Sequence, residues 1–148
     1  SAQRSLSVGR SFGQVVYLLL FSSSCPACFN QGLPAMRDVC DMLAHRTGDV
    51  AYRAVHTPLD LEVDDLEAGF ETIQEFGLDV PVVHDPARSV AREYSAPSLP
   101  WTVVIDPAGT VRYHGYGPEP DVLVPEIEAM LELQASRFGD ESAAGMHA

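Results

Sequence analysis

The sequence predicts an α/β protein in which one central sheet is covered by helices. Short apolar and β-branched runs alternate with segments of helical periodicity, in the order β-α-β-α-β-α-β-β-α. The 148 residues, 46% of them hydrophobic, suffice for one domain with its own core. Two cysteines separated by two residues come shortly after the first predicted strand. We expect a single domain over residues 1–137 and a frayed tail over residues 138–148.

The first strand is predicted at Val15–Phe21, because this uninterrupted apolar run has the length and composition of a fully buried strand. A helix is predicted from Cys25 to about Leu43, where apolar residues recur at helical spacing. A second buried strand is predicted at Val50–His56, just before a Thr-Pro pair.

The next helix is predicted to begin at Asp64, which has Glu67 three residues later as in a capping box, and to end at Gly77. The acidic run over residues 60–67 lacks the glycine and the spaced oxygen ligands of a calcium loop. We therefore interpret the run as a solvated helix N-terminus, where acids are favoured by the helix dipole.

The second half of the chain is predicted to form a short strand, a short helix, a hairpin and a final helix. The hairpin is predicted from two β-rich runs around an Asp-Pro-Ala-Gly turn, and the final helix from an apolar stripe. The predicted ranges are 81–84, 86–94, 101–105 with 110–114, and 121–137.

The Cys25-Pro26-Ala27-Cys28 motif is interpreted as a redox dithiol. At the start of a helix, the unpaired N–H groups and the positive end of the dipole stabilise a thiolate, so Cys25 is the predicted nucleophile. Cys28 lies one turn later, where it can attack a mixed disulfide and release the partner. This chemistry requires no cofactor other than the Cys25–Cys28 disulfide itself.

A CxxC pair can also form half of a zinc site, so other ligands must be considered. Cys40 is the only other cysteine, and it lies about 18 Å from Cys28 along a continuous helix, too far to share a metal. Its position on the apolar stripe predicts a buried, packed side chain. Four further histidines show no paired metal spacing and are interpreted as structural or exposed: His45, His56, His84 and His114.

Charge and hydropathy limit the classes of partner. The formal charge is −12, from 21 acids against nine arginines and no lysine, which argues against nucleic acid and anionic membranes. The longest apolar run has seven residues, far below the about 20 needed for a membrane span. Neutral or basic partners are favoured.

Two motifs together carry a resemblance to a known superfamily. The dithiol follows a strand, and Leu99-Pro100 immediately precedes a strand-turn-strand unit that ends in Tyr116-Gly117. In this respect the chain resembles the thioredoxin superfamily. The longer spacing between the motifs, with an additional strand and helix over residues 81–94, is similar to the TlpA and ResA branch of thiol-disulfide oxidoreductases.

The resemblance implies a thioredoxin fold with an inserted βα unit between the dithiol half and the hairpin half. It implies that the Leu99–Pro100 bond is cis and that Pro100 lies beside the dithiol. The residues expected to contact a partner are Pro26, Ala27, Leu99 and Trp101, with the Leu99 backbone pairing to the partner segment. For Trp101, partner contact and ordinary packing are both open.

The resemblance also implies protein thiols or disulfides as substrates and an upstream protein that donates or accepts electrons. It favours an extracytoplasmic or cell-envelope location. The chain begins too close to its cysteines to contain all of the N-terminal hairpin usual in the branch. The branch commonly has its helix-kinking proline five residues after the second cysteine, whereas Pro34 is six after Cys28, and Gly32 nearby predicts an adjusted first turn.

Two alternatives to disulfide exchange stay open. Peroxiredoxins also place a cysteine at a helix start, but Leu18 stands where they have proline, and Ser22 alone matches their motif. Thiolates are soft ligands, so a module that binds or delivers Cu(I) or Zn(II) is the other alternative.

Overall fold

The structure, a computed structural model, describes residues 8–9, 11 and 13–146, with side chains described as far as residue 136. Its centre is a five-stranded sheet with the strand order β3-β2-β1-β4-β5. β1 and β3 are parallel to β2, whereas β4 is antiparallel to β1 and to β5. The strands are β1 Val15–Phe21, β2 Val50–His56, β3 Val82–His84, β4 Trp101–Ile105 and β5 Val111–Gly115.

Helices connect and cover these strands, so the predicted α/β class is confirmed. They are a π-helical turn Cys28–Gly32, α1 Leu33–Met42, a 3₁₀ turn Ala44–Arg46, α2 Leu66–Glu75, α3 Ser89–Glu93 and α4 Pro120–Met146. β3 and α3 lie between α2 and β4, where the inserted βα unit is expected. That this unit is an insertion into the family's fold stays a prediction.

The central strand β1 determines where the cysteines lie. All seven of its residues are buried, as expected for a strand with neighbours on both edges and helices packed against it. Its parallel register with β2 ends at Phe21↔His56, and its antiparallel register with β4 pairs Leu20 with Trp101. The start of β4 therefore lies beside the end of β1, close to the cysteines that follow it.

The helix that carries the cysteines contains a π-helical turn. The N–H of Leu33 donates to the carbonyl of Cys28, five residues back, and Pro34 has no N–H to continue the ordinary ladder. The turn is the local adjustment that the spacing of Gly32 and Pro34 predicts. The helix ends near Leu43, as expected.

Helix α2 differs from the prediction at its start. The N-cap is Asp65, whose carboxylate accepts from the N–H of Ala68 at 2.8 Å, whereas Asp64 is buried. The prediction of a fully solvated acidic N-terminus is wrong at Asp64, because this side chain turns inward to accept hydrogen bonds. Gly77 follows the helix with φ +66°, the left-handed conformation expected of a glycine terminator.

Helix α3 begins three residues later than predicted, because a buried carboxylate caps it. Asp85 accepts from the N–H groups of Ser89, Val90 and Ala91 at 2.8–3.3 Å, which satisfies the first turn. The predicted hairpin is present, and its turn closes through the N–H of Gly109 on the carbonyl of Asp106 at 2.9 Å.

The last helix is longer than predicted. α4 runs to Met146, whereas the apolar stripe predicts an end at about residue 137. Residues 138–146 contain no proline, so no residue in this stretch removes a backbone N–H from the helix. Residues 147–148 of the expected tail lie outside the described residues.

Candidate active site

The dithiol lies at the carboxyl end of β1 and at the start of the helix, as predicted. A turn follows Phe21, and the N–H of Cys25 donates to the carbonyl of Ser22 at 3.2 Å. Helical conformation begins at residue 26. Both sulfurs are free thiols, with Cys25 5% exposed and Cys28 fully buried. Cys25 is thus the sulfur of the pair that an incoming group can approach.

Hydrogen bonds and burial distinguish the two cysteines. The N–H of Cys28 donates to Cys25 Sγ at 3.2 Å, and the Cys25 thiol donates to the Leu99 carbonyl at 3.8 Å. Burial, with the adjacent Cys25, raises the pKa of Cys28 far above its ordinary value. Cys28 therefore remains a neutral thiol while Cys25 is the sulfur that receives an N–H donor.

The Pro100 loop lies against the dithiol helix. The Leu99–Pro100 peptide bond is cis, as the resemblance implies. A Cβ on Gly32 would lie 2.5 Å from Pro100 Cβ and 3.2 Å from Leu19 Cδ1. Only glycine permits this approach of the helix backbone to the proline ring, and the approach holds the Leu99 carbonyl near Cys25.

The other expected contact residues differ in accessibility. Pro26 is exposed and Ala27 half-buried, whereas the Leu99 side chain is buried, leaving its backbone as the part directed at the dithiol. Trp101 is half-buried, its ring centroid 5.8 Å from that of His114, and its Nε1 is buried without a hydrogen-bond partner in the described part of the chain. Partner contact by these four residues stays a prediction.

A buried carboxylate that the sequence analysis did not assign to the site holds the turn before Cys25. Three consecutive hydroxyls donate to Asp64, from Ser22, Ser23 and Ser24, at 2.7–2.8 Å. The N–H groups of Leu59 and Asp60 also donate to it, each at 2.9 Å. We call Asp64 and the three serines the Asp64 cluster.

The Asp64 cluster fixes a negative charge in the fold. Burial raises the pKa of Asp64, but the hydrogen bonds from Ser24, the Asp60 backbone and the other two serines outweigh it and lower the pKa well below its usual range. The carboxylate is ionised at neutral pH. The signal in the sequence was the serine triplet before Cys25, whose hydroxyls need acceptors once they approach the core.

A pair of histidines supports the same turn. The N–H of Ser23 donates to Nε2 of buried His56 at 3.2 Å, so Nδ1 of His56 carries the proton and donates to Nδ1 of His84 at 3.1 Å. Burial and the neighbouring His84 lower the pKa of His56, which keeps its imidazole neutral. The sequence analysis interpreted both histidines as structural or exposed; here His56 is buried and His84 half-buried, and each hydrogen-bonds within the fold.

Cys40 lies apart from the hydrogen-bond partners of the dithiol. Its side chain packs against the core as predicted, but it is half-buried and not buried as expected. Burial, with the charge of Asp41, raises the pKa of its thiol to about 11.

In the described residues, no three or more His, Cys, Asp or Glu side chains are grouped as metal ligands would be. None of the helices within the described ranges is long and apolar enough to cross a membrane.

A thioredoxin fold with a dithiol at a helix start beside a cis-proline loop defines a class of redox protein. The sequence profile of the AhpC/TSA family matches residues 3–114, and the chain belongs to this family. No curated protein matches the chain significantly.

Solved structures of similar fold are thioredoxin-like. The chain is similar to the thioredoxin-like superfamily protein SPOA0173, with 26% identity, TM-score 0.69 and 80% of each chain covered. It is also similar to a thiol-disulfide isomerase from Corynebacterium glutamicum, with 24% identity, TM-score 0.68 and coverage of 87% of this chain and 84% of that one. A third similar structure is a putative thiol:disulfide interchange protein DsbE from Chlorobium tepidum. It has 24% identity, a TM-score of 0.65, and coverage of 80% of this chain and 81% of that one. The predicted thioredoxin-like superfamily is confirmed, and the TlpA and ResA branch stays a prediction.

Proposed function

We propose that this protein is a thiol-disulfide oxidoreductase that exchanges disulfides with protein partners through Cys25 and Cys28. The observation that carries the proposal is the asymmetry of the dithiol. Cys25 lies at the helix start with an N–H donor on its sulfur, and Cys28 is a fully buried neutral thiol behind it. The similar structures named as a thiol-disulfide isomerase and as a putative thiol:disulfide interchange protein support the same class of reaction.

In the proposed reaction the Cys25 thiolate attacks one sulfur of a partner disulfide. A Cys25–partner bond forms, the partner's S–S bond breaks, and the departing thiolate takes a proton. Cys28 then loses its proton to solvent and attacks Cys25 Sγ, which releases the second partner sulfur as a thiol. Two electrons have moved to the partner, and the Cys25–Cys28 disulfide remains. A second protein with a dithiol restores the reduced form, and each step is reversible.

The site supplies positioning for this exchange from its own residues. The Asp64 cluster fixes the turn before Cys25, and Gly32 lets the Pro100 loop lie close to the helix. The Leu99 backbone is the proposed edge to which the partner segment pairs, with Pro26, Ala27 and Trp101 around it. We propose no added cofactor, since the cysteine pair itself carries the electrons.

Peroxide reduction is the second candidate, because the AhpC/TSA family also includes peroxidases. Here the Cys25 thiolate would displace an alcohol or water from a peroxide and become a sulfenic acid. Cys28 would then form the disulfide and release water. Both candidates end in the same Cys25–Cys28 disulfide and differ in the oxidant. Binding of Cu(I) or Zn(II) by the two thiolates is the third candidate.

The test is a redox titration of the dithiol against a glutathione series, with reduction of insulin as the activity. We expect a single two-electron transition, insulin reduction by wild type, and accumulation of a Cys25 mixed disulfide in the Cys28→Ser variant. Cys40→Ser is the control and should trap nothing. Faster oxidation by hydrogen peroxide than by insulin would favour the peroxidase, and a stoichiometric metal after reducing purification would favour metal binding.

A further inference from the structure

A groove opens beside the dithiol on the side of α2. It has a volume of about 250 Å³ and lies between the turn before Cys25, the π-helical turn and α2. The residues relevant here are Ser24, Phe29, Val63, Ala68, Glu71 and Glu75. We call it the α2 groove. Ser24, one of the lining residues, directly precedes Cys25 in the chain, so the groove lies next to the turn that carries the reactive cysteine.

The α2 groove combines apolar walls with two carboxylates. Phe29 packs on Phe76 with ring centroids 5.6 Å apart and also lines the groove, and Val63 is 59% exposed there. Glu71 and Glu75 are exposed, one helical turn apart on the same face of α2. A long side chain with an apolar stem and a cationic end is complementary to such walls.

The two glutamates lack a cation of their own. Within the described residues the ion pairs are Arg46–Asp49 and Arg112–Asp106, and neither involves α2. Like charges at i and i+4 destabilise a helix, so a cation placed between Glu71 and Glu75 would be bound favourably. The chain has no lysine and an excess of acids, which makes an external cation the natural counter-charge.

We propose that the α2 groove receives an arginine side chain from the partner segment that pairs with Cys25. The volume lies below the roughly 300–1,000 Å³ of pockets for drug-sized ligands and suits one side chain. A guanidinium can contact both carboxylates and stack on Phe29, which an ammonium does less well. This inference rests on the proposed function and specifies its substrates as cysteine segments that carry a nearby arginine.

The test compares pairs of synthetic peptides. Each peptide is supplied as a symmetrical disulfide dimer, with arginine or its neutral isostere citrulline at one position within three residues of the cysteine. The second-order rate constant for reduction by the reduced protein is measured at low and high salt. At one or more positions we expect the arginine peptide to react about fivefold faster at low salt, with the preference shrinking as salt screens the charges.

The matched variants separate the groove from the net charge of the protein. Glu71→Gln with Glu75→Gln should abolish the preference, whereas Glu62→Gln with Glu67→Gln removes the same charge from exposed sites outside the groove and should keep it. Equal rates for both peptides in wild type, or equal loss of preference in the two double variants, would overturn the arginine-binding role of the groove. The proposed function would be unaffected by either result. Failure of wild type to reduce either peptide would overturn the proposed function and this inference with it.

Discussion

Two buried polar groups beside β1 differ in how their hydrogen bonds are satisfied. In the Asp64 cluster, one carboxylate accepts from three hydroxyls and two N–H groups. Tyr17 and Tyr52 instead pack side by side with ring centroids 5.8 Å apart, and their buried hydroxyls have no partner in the described part of the chain. The saturated network adjoins Cys25, and the unpaired hydroxyls lie near Cys40.

The Asp64 cluster holds a reactive site that needs a fixed geometry, whereas the Tyr17–Tyr52 pair only has to fill space in the core. A saturated polar network has few alternative arrangements, so it holds the turn before Cys25 in one conformation. Unpaired hydroxyls on large rings contribute apolar area and little orientation. Substitutions in the two regions should therefore differ in size and in their effect on exchange.

The largest effect is expected for Asp64→Ala. The change leaves three hydroxyls and two N–H groups without their acceptor, and the free energy of unfolding should fall by about 3–5 kcal/mol. Urea unfolding measures the loss. Asp79→Ala removes an exposed acid and should cost less than about 0.5 kcal/mol. A similar loss in both variants would contradict the special role of the cluster.

The milder Asp64→Asn variant adds a pH dependence. Because the folded pKa of Asp64 is lowered, its ionised form contributes stability above the unfolded pKa of about 3.9, and this is lost as pH falls towards the folded pKa. The stability difference between wild type and Asp64→Asn should thus be constant above about pH 5 and shrink below about pH 4. A difference that grows on acidification would contradict the assignment.

The second effect is expected for Gly32→Ala, which tests whether the Pro100 loop must lie close to Cys25. The new Cβ would meet Pro100 at 2.5 Å, so the helix and loop must separate at a cost of about 1–3 kcal/mol. Exchange should slow by about tenfold, because the Leu99 carbonyl moves away from Cys25. At Gly115 the Cβ would meet the end of the Tyr113 side chain, 2.6 Å from its hydroxyl and 3.1 Å from ring carbon Cζ, which can rotate away, so Gly115→Ala should keep the wild-type rate. Normal exchange in a folded Gly32→Ala variant would remove this contact from the site.

Sequence patterns predicted the parts of the molecule that depend on local or periodic signals. The apolar run of β1, the dithiol at the helix start and the hairpin turn follow from composition and spacing. The cis bond at Pro100 followed from the resemblance. The Asp64 cluster joins segments about 40 residues apart through side-chain hydrogen bonds, which leave no periodicity in the sequence. Asp64 could not be separated from its exposed acidic neighbours without the fold.

A third, smaller effect is expected for Cys40→Ala, which tests the region of Tyr17 and Tyr52, near which Cys40 lies. Cys40 packs against the core without a part in the proposed exchange, so its loss should lower the free energy of unfolding by about 1 kcal/mol. Insulin reduction should stay within about twofold of wild type. Cys28→Ala, as the positive control, should abolish turnover. A strong loss of turnover in a stable Cys40→Ala variant would place Cys40 in the chemistry.

The smallest effect is expected for Tyr17→Phe. Burial raises the pKa of Tyr17, so the hydroxyl stays neutral, and removing it takes away a polar atom that has no partner among the described residues. The ring and its contact with Tyr52 remain, so the free energy of unfolding should stay equal or rise by up to about 1 kcal/mol. Tyr113→Phe, on a half-buried strand position, is the control and should change little. A loss above about 1 kcal/mol in urea unfolding would mean that the Tyr17 hydroxyl is hydrogen-bonded in solution. In that case the Asp64 cluster and the Tyr17–Tyr52 pair would both have their hydrogen bonds satisfied, and the two regions would differ only in their position along β1.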